Sequence, residues 1–487
     1  MSSIDEIKDA RINKLKLLRE RDVNPYPADS KRELSLKDVI NSFESLEKNG
    51  EFKWIAGRVM SIRGQGAIVF ITLDDGTAQF QGLLKKDILG DEKFNFFNEV
   101  ADIGDFIELS GTFFTTKRGE KTIEAKDWNM LSKSLLPLPE KWHGLRDIEE
   151  RFRKRYLDIL MNPEIKDLLI KKTKFWETAR NFMKERGFLE VETPTLEITT
   201  GGAEATPFKT YNEDFKLALY LRISIGELWQ KRLMAAGFPK TFEIGRAYRN
   251  EGSDVNHLQE FTNLEFYWAY ANYEDGMKFT EELYKKIAMD VFGKMEFETR
   301  GHEFDLGGKW DRIDYRETVK KMTGIDVLDT TYEEVKKKLE SLEIVYDGET
   351  MERLVDALWK YCRKQISGPV FLTGHPKLVS PLSKSMSDNP DLTERFQIIL
   401  AGTEMGNGFS ELNDPIDQAE RFEAQKELLS RGDKEAMMPD HEFVEMLEYG
   451  MPPTCGFGFG EMLFAFLADK PIRETQMFPL MRPKATE

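Results

Sequence analysis

The strongest constraint on the fold is a run of short strand patterns between residues 54 and 129. Residues 57–63 alternate, residues 67–73 form a second strand pattern, and turns such as Asp74-Asp75-Gly76-Thr77 separate one pattern from the next. About five strands in roughly 75 residues, with one helix near the third strand, are typical of a small Greek-key barrel. The whole chain has 487 residues, which is too long for one core, so we predict two or three domains.

The predicted barrel is of the OB-fold type, and the strand pattern leaves its role open. OB-folds commonly bind single-stranded nucleic acid on one face, but small barrels also serve as structural or protein-binding modules. A helix is predicted just before it, over residues 11–21, with five basic residues and one acidic residue. This helix is compatible with phosphate binding and equally with a solvated surface.

Charge and cysteine content exclude several classes of protein. Lys and Arg number 70 against 86 Asp and Glu, giving a net charge of −16, which argues against sequence-blind nucleic-acid binding over the whole surface. A local basic face remains compatible with this charge. Cys362 and Cys455 lack partners at ligand spacing, which excludes a disulfide framework and a zinc site. With no run of 18 apolar residues and no signal-like start, we expect a cytoplasmic protein without a membrane span.

The remaining residues mix helices and strands, and they lack GxxxxGK[ST] and strand-linked GxGxxG fingerprints. We predict an α+β multidomain chain: a helical extension over 1–52, the OB-fold barrel over 53–132, a linker over 133–150 and a larger domain over 151–487. Residues 315–365 read as a helical insertion whose charge runs form a solvated face. We expect this insertion to lie outside any site.

Two strand patterns, residues 242–251 and 260–270, carry groups suited to a nucleotide. Arg249 and Glu251 point to one face if the first strand persists, and Phe261, Glu265 and Tyr267 share a face of the second. An arginine, an acid and an aromatic ring suit a phosphate, a base edge and a base face. A surface ladder of cross-strand ion pairs fits the same pattern.

Two later segments carry further candidate groups. Asn407, Phe409 and Glu411 share one face of a predicted strand, where they suit an ammonium ligand or form an ordinary polar face. The glycines of residues 456–460 allow close approach of the backbone to a ligand or to a packed helix.

Taken in order, these segments resemble class II aminoacyl-tRNA synthetases, and in most detail the lysyl-tRNA synthetases. Residues 187–194 resemble motif 1 of that class, and residues 242–262 resemble motif 2. The resemblance covers nearly the whole chain, and the segments typical of the lysine branch are residues 137–139, 141–145, 155–158, 200–203, 407–414 and 478–483.

The resemblance implies a fold and an activity. In that family an OB-fold anticodon domain precedes an antiparallel-sheet catalytic domain, and motif 1 builds a homodimer. The implied reaction joins L-lysine and ATP into lysyl-adenylate and then transfers lysine to the 3′ end of tRNA(Lys), with Mg²⁺ as cofactor.

The resemblance also implies roles for individual residues. For ATP, Arg249 contacts the α-phosphate and the lysine carboxylate, Glu251 the adenine edge, Phe261 its face and His257 the outer phosphates, while Met462 stands in the same site. For lysine, the implied residues are Gly202 and Glu227 at the α-amine, Asn407 at the carboxylate, Phe409 on the stem, and Glu265, Tyr267 and Glu411 in the ammonium pocket. Glu404 and Gln397 are the implied metal ligands, and Arg58, Phe70, Gln81 and Glu120 the implied anticodon contacts.

The chain departs from the family pattern at two of these positions. Motif 3 of the class places an arginine after the glycine run and an acid, and in the most natural register Met462 occupies that place. In either register, no arginine lies between Gly456 and Pro471. Gln397 stands where many relatives carry a second metal-binding glutamate, and a neutral amide holds Mg²⁺ more weakly.

Three other functions remain as alternatives. The change at Met462 suggests a synthetase-like RNA-binding protein that has lost activation. Aspartyl- and asparaginyl-tRNA synthetases share the barrel-first layout, but Glu227 and Glu411 would repel an acidic substrate. Transfer of lysine to a protein would use the same core, and the predicted anticodon barrel favours tRNA instead.

Overall fold

The computed structural model describes residues 3–139, 147–203, 205–252, 254, 257–346, 350–431 and 436–484. Segment 141–145 and part of the predicted linker, 133–150, lie outside the described residues. The chain divides into two compact units, Met1–Met161 and Asn162–Glu487. The domain limits given above stay predictions.

The first unit contains, in its described part, a closed barrel of five strands in the order β1-β2-β3-β5-β4. The predicted OB-fold barrel is therefore confirmed. The strands are β1 Lys53–Gln65, β2 Ile68–Asp74, β3 Gln79–Lys85, β4 Phe106–Thr115 and β5 Lys121–Ser132. The helices are α1 Ile4–Glu20, α2 Leu36–Asn41, α3 Phe43–Asn49, α4 Lys86–Leu89, α5 Asp91–Val100, α6 Ile148–Arg153 and α7 Arg155–Met161.

Helix α1 is fixed to the barrel by two of its basic side chains. Arg11 is buried and donates to the carbonyl oxygens of Ile103 and Leu136, each at 3.0 Å. Lys14 Nζ lies 2.7 Å from Asp102 Oδ1. These two basic side chains therefore form contacts within the barrel unit. The sequence had suggested phosphate binding or a solvated surface for this helix, and neither interpretation predicted these contacts.

The second unit is built, within its described residues, on an eight-stranded sheet in the order β14-β15-β16-β17-β18-β11-β10-β6. Its strands are antiparallel except for the outer pairs β14/β15 and β10/β6, which confirms the predicted antiparallel-sheet domain. The strands of this unit are β6 Leu189–Glu190, β7 Leu196–Glu197, β8 Lys209–Asn212, β9 Leu217–Leu221, β10 Lys240–Tyr248, β11 Glu260–Ala269, β12 Glu296–Thr299, β13 His302–Asp305, β14 Asp311–Asp314, β15 Val370–Pro376, β16 Leu392–Leu400, β17 Thr403–Ser410 and β18 Thr454–Gly460. The helices are α8 Pro163–Glu185, α9 Glu227–Ala235, α10 Tyr273–Ile287, α11 Tyr315–Thr323, α12 Tyr332–Ser341, α13 Met351–Arg363, α14 Pro415–Ser430, α15 His441–Glu448 and α16 Met462–Leu467, with a π-helical turn at Ala288–Phe292 and 3₁₀ turns at Lys377–Val379 and Ile472–Thr475.

Helices α8 and α10 cover one face of this sheet. Phe175 of α8 packs edge-on against Phe459 of β18, and Phe279 of α10 packs against Phe266 of β11. All four rings belong to one buried core cluster. Because this face is filled by apolar side chains, polar groups of the sheet collect on its other face.

Helices α11 to α13 form the predicted helical segment, and they have a core of their own that includes Val335, Leu354 and Leu358. Tyr315 of α11 and Trp359 of α13 also line a cavity of the sheet. The expectation that this segment lies outside any site is therefore wrong. Sequence periodicity identified the helices but not the surface against which they pack.

No helix among the described residues is long and apolar enough to cross a bilayer.

Candidate active site

Two adjoining cavities lie on the polar face of the sheet, within the described part of the second unit. The first has a volume of about 390 Å³ and the second about 610 Å³. They share a wall formed by Arg249, Asn263, Glu404, Gly460 and Met462. Volumes of this size suit small-molecule ligands, and the shared wall places two ligands side by side.

Strand alternation explains which side chains reach the first cavity. Strand β18 lies between β11 and β17, and its residues alternate between glycine and phenylalanine. Phe457 and Phe459 point into the core, so Gly456, Gly458 and Gly460 face the cavity. The facing side chains from neighbouring strands are Asn263, Glu265 and Tyr267 of β11, Arg395 and Gln397 of β16, and Asn407 and Phe409 of β17.

The glycine run makes room for these side chains. A β-carbon built on Gly456 would lie 2.1 Å from Glu411 Oε1 and 2.6 Å from a ring carbon of Tyr267. A β-carbon on Gly458 would lie 2.9 Å from Glu265 Cγ. The sequence did not decide whether a ligand or a packed helix approaches the glycines. In the structure, acidic and aromatic side chains of the cavity lie close to them.

A β-bulge brings Glu404 to the same cavity. The register between β16 and β17 shifts, so that Ile398 pairs with Gly406 while Ile399 pairs with Glu404. In a regular strand, the side chains of Glu404 and Asn407 would point to opposite faces, because the two residues are three positions apart. The extra residue reverses this direction.

Arg249 and Glu251 follow β10, which ends at Tyr248 instead of persisting through them. Both nevertheless line the second cavity together with Phe261. The Arg249 guanidinium carbon lies 5.1 Å from the centre of the Phe261 ring. The structure therefore brings together the arginine, the acid and the aromatic ring of the nucleotide hypothesis.

The alternative of a surface ladder applies to the opposite side of the same strand pair. Arg246 Nη1 lies 3.4 Å from Glu260 Oε1, and both side chains are exposed. Because side chains alternate along a strand, the pair carries an ion pair on one face and cavity groups on the other.

The inner end of the first cavity is acidic. Glu227, Glu265 and Glu411 are all buried there, and Glu265 accepts hydrogen bonds from the Ile225 amide at 2.8 Å and the Tyr267 hydroxyl at 3.3 Å. Burial raises the pKa of Glu265 to about 7, with a further contribution from Glu227. Burial also raises the pKa of Glu411, to about 8. The raised pKa values show that burial disfavours the charged form of these carboxylates. A cationic ligand would offset this effect and stabilise the charged form.

Gly202 lies against the same acidic end. Its φ of +88° is in the left-handed region, and a β-carbon there would lie 2.8 Å from Glu227 Oε2. Only glycine fits this position without strain, so the backbone of residue 202 approaches the carboxylate closely.

Met462 stands on the wall shared by the two cavities, at the start of α16. The preceding residue, Glu461, is buried, accepts from the Thr262 amide at 3.1 Å and forms an ion pair with Lys172. The cationic residues that line the second cavity are Arg249, Arg300, Arg363 and Lys364, with His257 and His302. His257 is exposed, and its Nδ1 lies 2.8 Å from Asp254 Oδ2.

Gln397 and Glu404 lie side by side at the junction of the cavities. The amide nitrogen of Gln397 donates to Glu404 Oε2 at 2.8 Å, and Gln397 Oε1 is buried without a hydrogen-bond partner among the described residues. Burial raises the pKa of Glu404, while Arg395 and Arg363 lower it. No group of three or more His, Cys, Asp or Glu side chains suited to a metal occurs in the described part of the chain. Any metal here would therefore depend on these two oxygen donors and on its ligand.

The outer face of the barrel holds the candidate base-binding residues. Phe70 on β2 pairs in register with Arg63 on β1, and its side chain alternates with the buried Val69 and Ile71. Gln81 on β3 donates to Thr122 Oγ1 at 2.9 Å. Phe70 and Gln81 therefore share a polar face, and Arg63 is a neighbour that sequence analysis missed.

The other two barrel candidates lie in a turn and on β1. Glu120 is exposed in the turn before β5. Arg58 lies with its guanidinium carbon 4.2 Å from the centre of the Phe106 ring, and burial lowers its pKa. It packs on its own domain and pairs in register with Asp74.

Several cavity residues were not predicted from the sequence. The main ones are Ser224, Asn263, Arg395 and the α11–α13 residues Tyr315 and Trp359, and the unpredicted Lys231 pairs with the cavity residue Glu411. Asn263 carried a usable signal, because it lies two residues from both Phe261 and Glu265 on β11 and therefore shares their face. Lys231 carried another, because it lies one helical turn after Glu227.

Comparison with known proteins gives two family matches. Residues 147–482 match the model described as tRNA synthetases class II (D, K and N), and residues 53–131 match the OB-fold nucleic acid binding domain. Among curated relatives, proteins named lysine–tRNA ligase from Thermotoga maritima, Roseiflexus sp. (strain RS-1) and Halalkalibacterium halodurans are each 41% identical to this chain. The alignments cover 99% of this chain and 97%, 99% and 98% of the respective relatives.

Proposed function

The chain belongs to the class II tRNA synthetase family of aspartate, lysine and asparagine enzymes, and we propose that its two cavities bind lysine and ATP side by side for a lysine–tRNA ligase reaction. The observation that carries this proposal is the acidic end of one cavity, joined through Arg249 to a second cavity large enough for a nucleotide.

In the first step, the lysine carboxylate attacks the α-phosphorus of ATP. A new oxygen–phosphorus bond forms, and pyrophosphate leaves with the electron pair of the broken anhydride. Arg249 stands on the wall between the cavities, so its guanidinium neutralises charge on both reactants. Glu251 and Phe261 hold the adenine edge and face. The protein supplies no nucleophile, because positioning and charge neutralisation are sufficient.

Recognition of lysine rests on the acidic end of the first cavity. Glu227 and the backbone at Gly202 receive the α-ammonium group, Asn407 the carboxylate, and Glu265, Tyr267 and Glu411 the ε-ammonium group. An aspartate side chain would meet repulsion there, and asparagine would leave buried carboxylates unpaired. This argues against the other two substrates of the family.

ATP is the nucleotide substrate of this family, and Mg²⁺ is the metal that we propose for it. Glu404 and Gln397 offer a carboxylate and an amide side by side, which fits a cation that prefers oxygen ligands and that also binds phosphates. The ion would neutralise charge on the phosphates. Since only one of the two donors is charged, binding would depend strongly on the nucleotide itself.

In the second step, a ribose hydroxyl at the 3′ end of tRNA(Lys) attacks the acyl carbon, and AMP leaves. Phe70 and Gln81 would contact anticodon bases by stacking and hydrogen bonding. Exposed apolar residues in and after motif 1, namely Leu189, Leu196 and Ile198, support a homodimer interface there. The roles of Arg58 and Glu120, and the cytoplasmic location, stay predictions.

The proposal is tested by amino-acid-dependent exchange of pyrophosphate into ATP, with lysine, aspartate and asparagine in parallel. We expect exchange with lysine alone, followed by lysylation of tRNA(Lys). Folded protein that binds tRNA but gives no exchange would instead support the RNA-binding alternative suggested by Met462.

Replacing Met462 by arginine is expected to lower the KM for ATP by roughly tenfold or more. Met462 lines both cavities, and the ion pair of Glu461 with Lys172 fixes the residue before it. A guanidinium there would meet the nucleotide phosphates. The KM for ATP is measured by exchange at saturating lysine, with Met462→Leu as the uncharged control. An unchanged KM in the arginine variant would mean that position 462 does not face the nucleotide.

The KM for lysine is expected to rise as pH falls from about 8.5 to 6. Glu265 and Glu411, with pKa values raised to about 7 and about 8, take up protons over this range and lose their attraction for ammonium groups. The rise should approach tenfold per pH unit where one group titrates. The KM for ATP, measured in the same reactions, should change much less. A KM for lysine that stays flat over this range would contradict the assignment of these acids.

A further inference from the structure

One ammonium group of the protein itself lies at the acidic end of the lysine cavity. Lys231 is on α9, one turn after Glu227, and its side chain is 1% exposed. Its Nζ lies 2.8 Å from Glu227 Oε1 and 2.5 Å from Glu411 Oε2. The two carboxylates come from positions far apart in the chain, so this lysine joins α9 to the end of β17.

Lys231 is enclosed on every side by fixed groups. The rings of Phe409, Phe443 and Tyr267 have their centres 5.2, 5.9 and 6.0 Å from its Nζ. Several titratable groups surround Lys231 and its two carboxylates. They are Glu227 on the helix of Lys231, Glu265 and Tyr267 on β11, Glu411 after β17 and Cys455 on β18. Withdrawing the ammonium from this cage would leave buried carboxylates without a partner, which is strongly unfavourable.

The charges at this end of the cavity match those of the substrate. Among the described residues, this end of the cavity holds three buried carboxylates, Glu227, Glu265 and Glu411, and the buried ammonium of Lys231, which pairs with Glu227 and Glu411. With all groups charged, two net negative charges remain, and lysine carries two ammonium groups. If Lys231 were absent, three crowded carboxylates would favour uptake of a proton by one of them.

We propose that Lys231 is a positioning residue, a permanent counter-ion that favours the charged form of Glu411 and orients Glu227 and Glu411 for the two ammonium groups of substrate lysine. This inference rests on the proposed lysine–tRNA ligase function of the same cavity. Lys231 does not touch the reacting atoms, and it acts through the two carboxylates that it holds.

The test measures the KM values for lysine and ATP by pyrophosphate exchange in Lys231→Met, Glu411→Gln and the double variant. In Lys231→Met we expect the KM for lysine to rise about tenfold or more at pH 7, because Glu411 loses the cation that favours its charged form and is protonated to a larger extent than in the wild type. The ratio of this KM to that of the wild type should shrink between pH 7 and about 8.5, as that carboxylate ionises. The KM for ATP should stay within about twofold of the wild type, because Lys231 is remote from the nucleotide cavity.

The double variant separates a charge effect from loss of packing. It removes one ammonium and one carboxylate, so the net charge of the cavity returns to that of the wild type. We therefore expect its KM for lysine to be lower than that of Glu411→Gln, which lacks only the acid. Equal or higher values in the double variant would overturn the proposal, and this comparison holds even if Lys231→Met alone fails to fold.

Lys133 provides a matched control in the barrel unit. Its ammonium is also fully buried, 2.5 Å from Asp102 Oδ2 and 2.8 Å from Asp105 Oδ2. Lys133→Met should lower thermal stability without changing the KM for lysine of the folded protein. Absence of lysine-dependent exchange in the wild type would contradict the proposed function, whereas an active wild type with an unchanged KM for lysine in Lys231→Met would overturn this inference alone.

Discussion

Replacement of Arg249 by alanine is expected to lower lysine-dependent pyrophosphate exchange by roughly a hundred- to a thousandfold. Arg249 lies on the wall shared by the two cavities, and its Nε is 3.4 Å from the Ile223 carbonyl oxygen. It is thus held beside the point where, in the proposed reaction, the carboxylate and the α-phosphate would meet. Because charge at that point changes during attack, removing the guanidinium should lower kcat as well as raise both KM values.

Arg246 is the matched control for this experiment. It lies three residues earlier, on the opposite face of the strand pair, and forms an exposed ion pair with Glu260. Exposed pairs contribute about 1 kcal/mol or less, so Arg246→Ala should leave exchange nearly unchanged. Similar losses in both variants would indicate a general effect of positive charge, and near-normal exchange by Arg249→Ala would contradict the assigned role.

Replacement of Gly456 by alanine should raise the KM for lysine by roughly 10- to 100-fold. The added β-carbon would lie 2.1 Å from Glu411 Oε1, and atoms cannot approach so closely. Since overpacking a filled site costs about 1–3 kcal/mol, either Glu411 or the strand must move. Movement of Glu411 would displace the carboxylate that we propose for the ε-ammonium group. The KM for lysine and the midpoint of thermal unfolding should be measured together.

Gly308→Ala is a suitable control in the same unit. A β-carbon there would have its nearest neighbour at 3.6 Å, which is an ordinary contact. Neither stability nor the KM for lysine should change appreciably. If Gly456→Ala unfolded at a much lower temperature but kept a normal KM for lysine, the glycine would serve packing of the sheet and not the shape of the cavity.

Local patterns in the sequence identified much of the fold and part of the site. The strand pattern predicted a barrel of about five strands, and the observed barrel has five strands that include β2. On β11, the spacing of Phe261, Glu265 and Tyr267 placed them on one face, and all three line the cavities. These predictions succeeded because strand geometry turns every second side chain to the same side, whatever lies around the strand.

Other features required knowledge of the tertiary structure. Glu404 faces the cavity because of a bulge between β16 and β17, and a bulge interrupts the alternation from which the direction of a strand side chain is predicted. Residues of α11 and α13 line the first cavity because those helices pack beside β15. A helical pattern shows which side of a helix is apolar, but it does not identify the partner of that side.

The sequence alone determined the barrel, the antiparallel catalytic sheet and the identity of most charged groups in the site, since these follow from local periodicity and from the matched motifs. Only the tertiary structure decided that β18 lies between β11 and β17, so that its glycines admit Glu411 and Tyr267. It also decided that Lys231 meets Glu411, a residue distant in sequence. The physical reason is that strand order and ion pairing depend on burial of the whole unit, and burial joins segments that no local pattern connects.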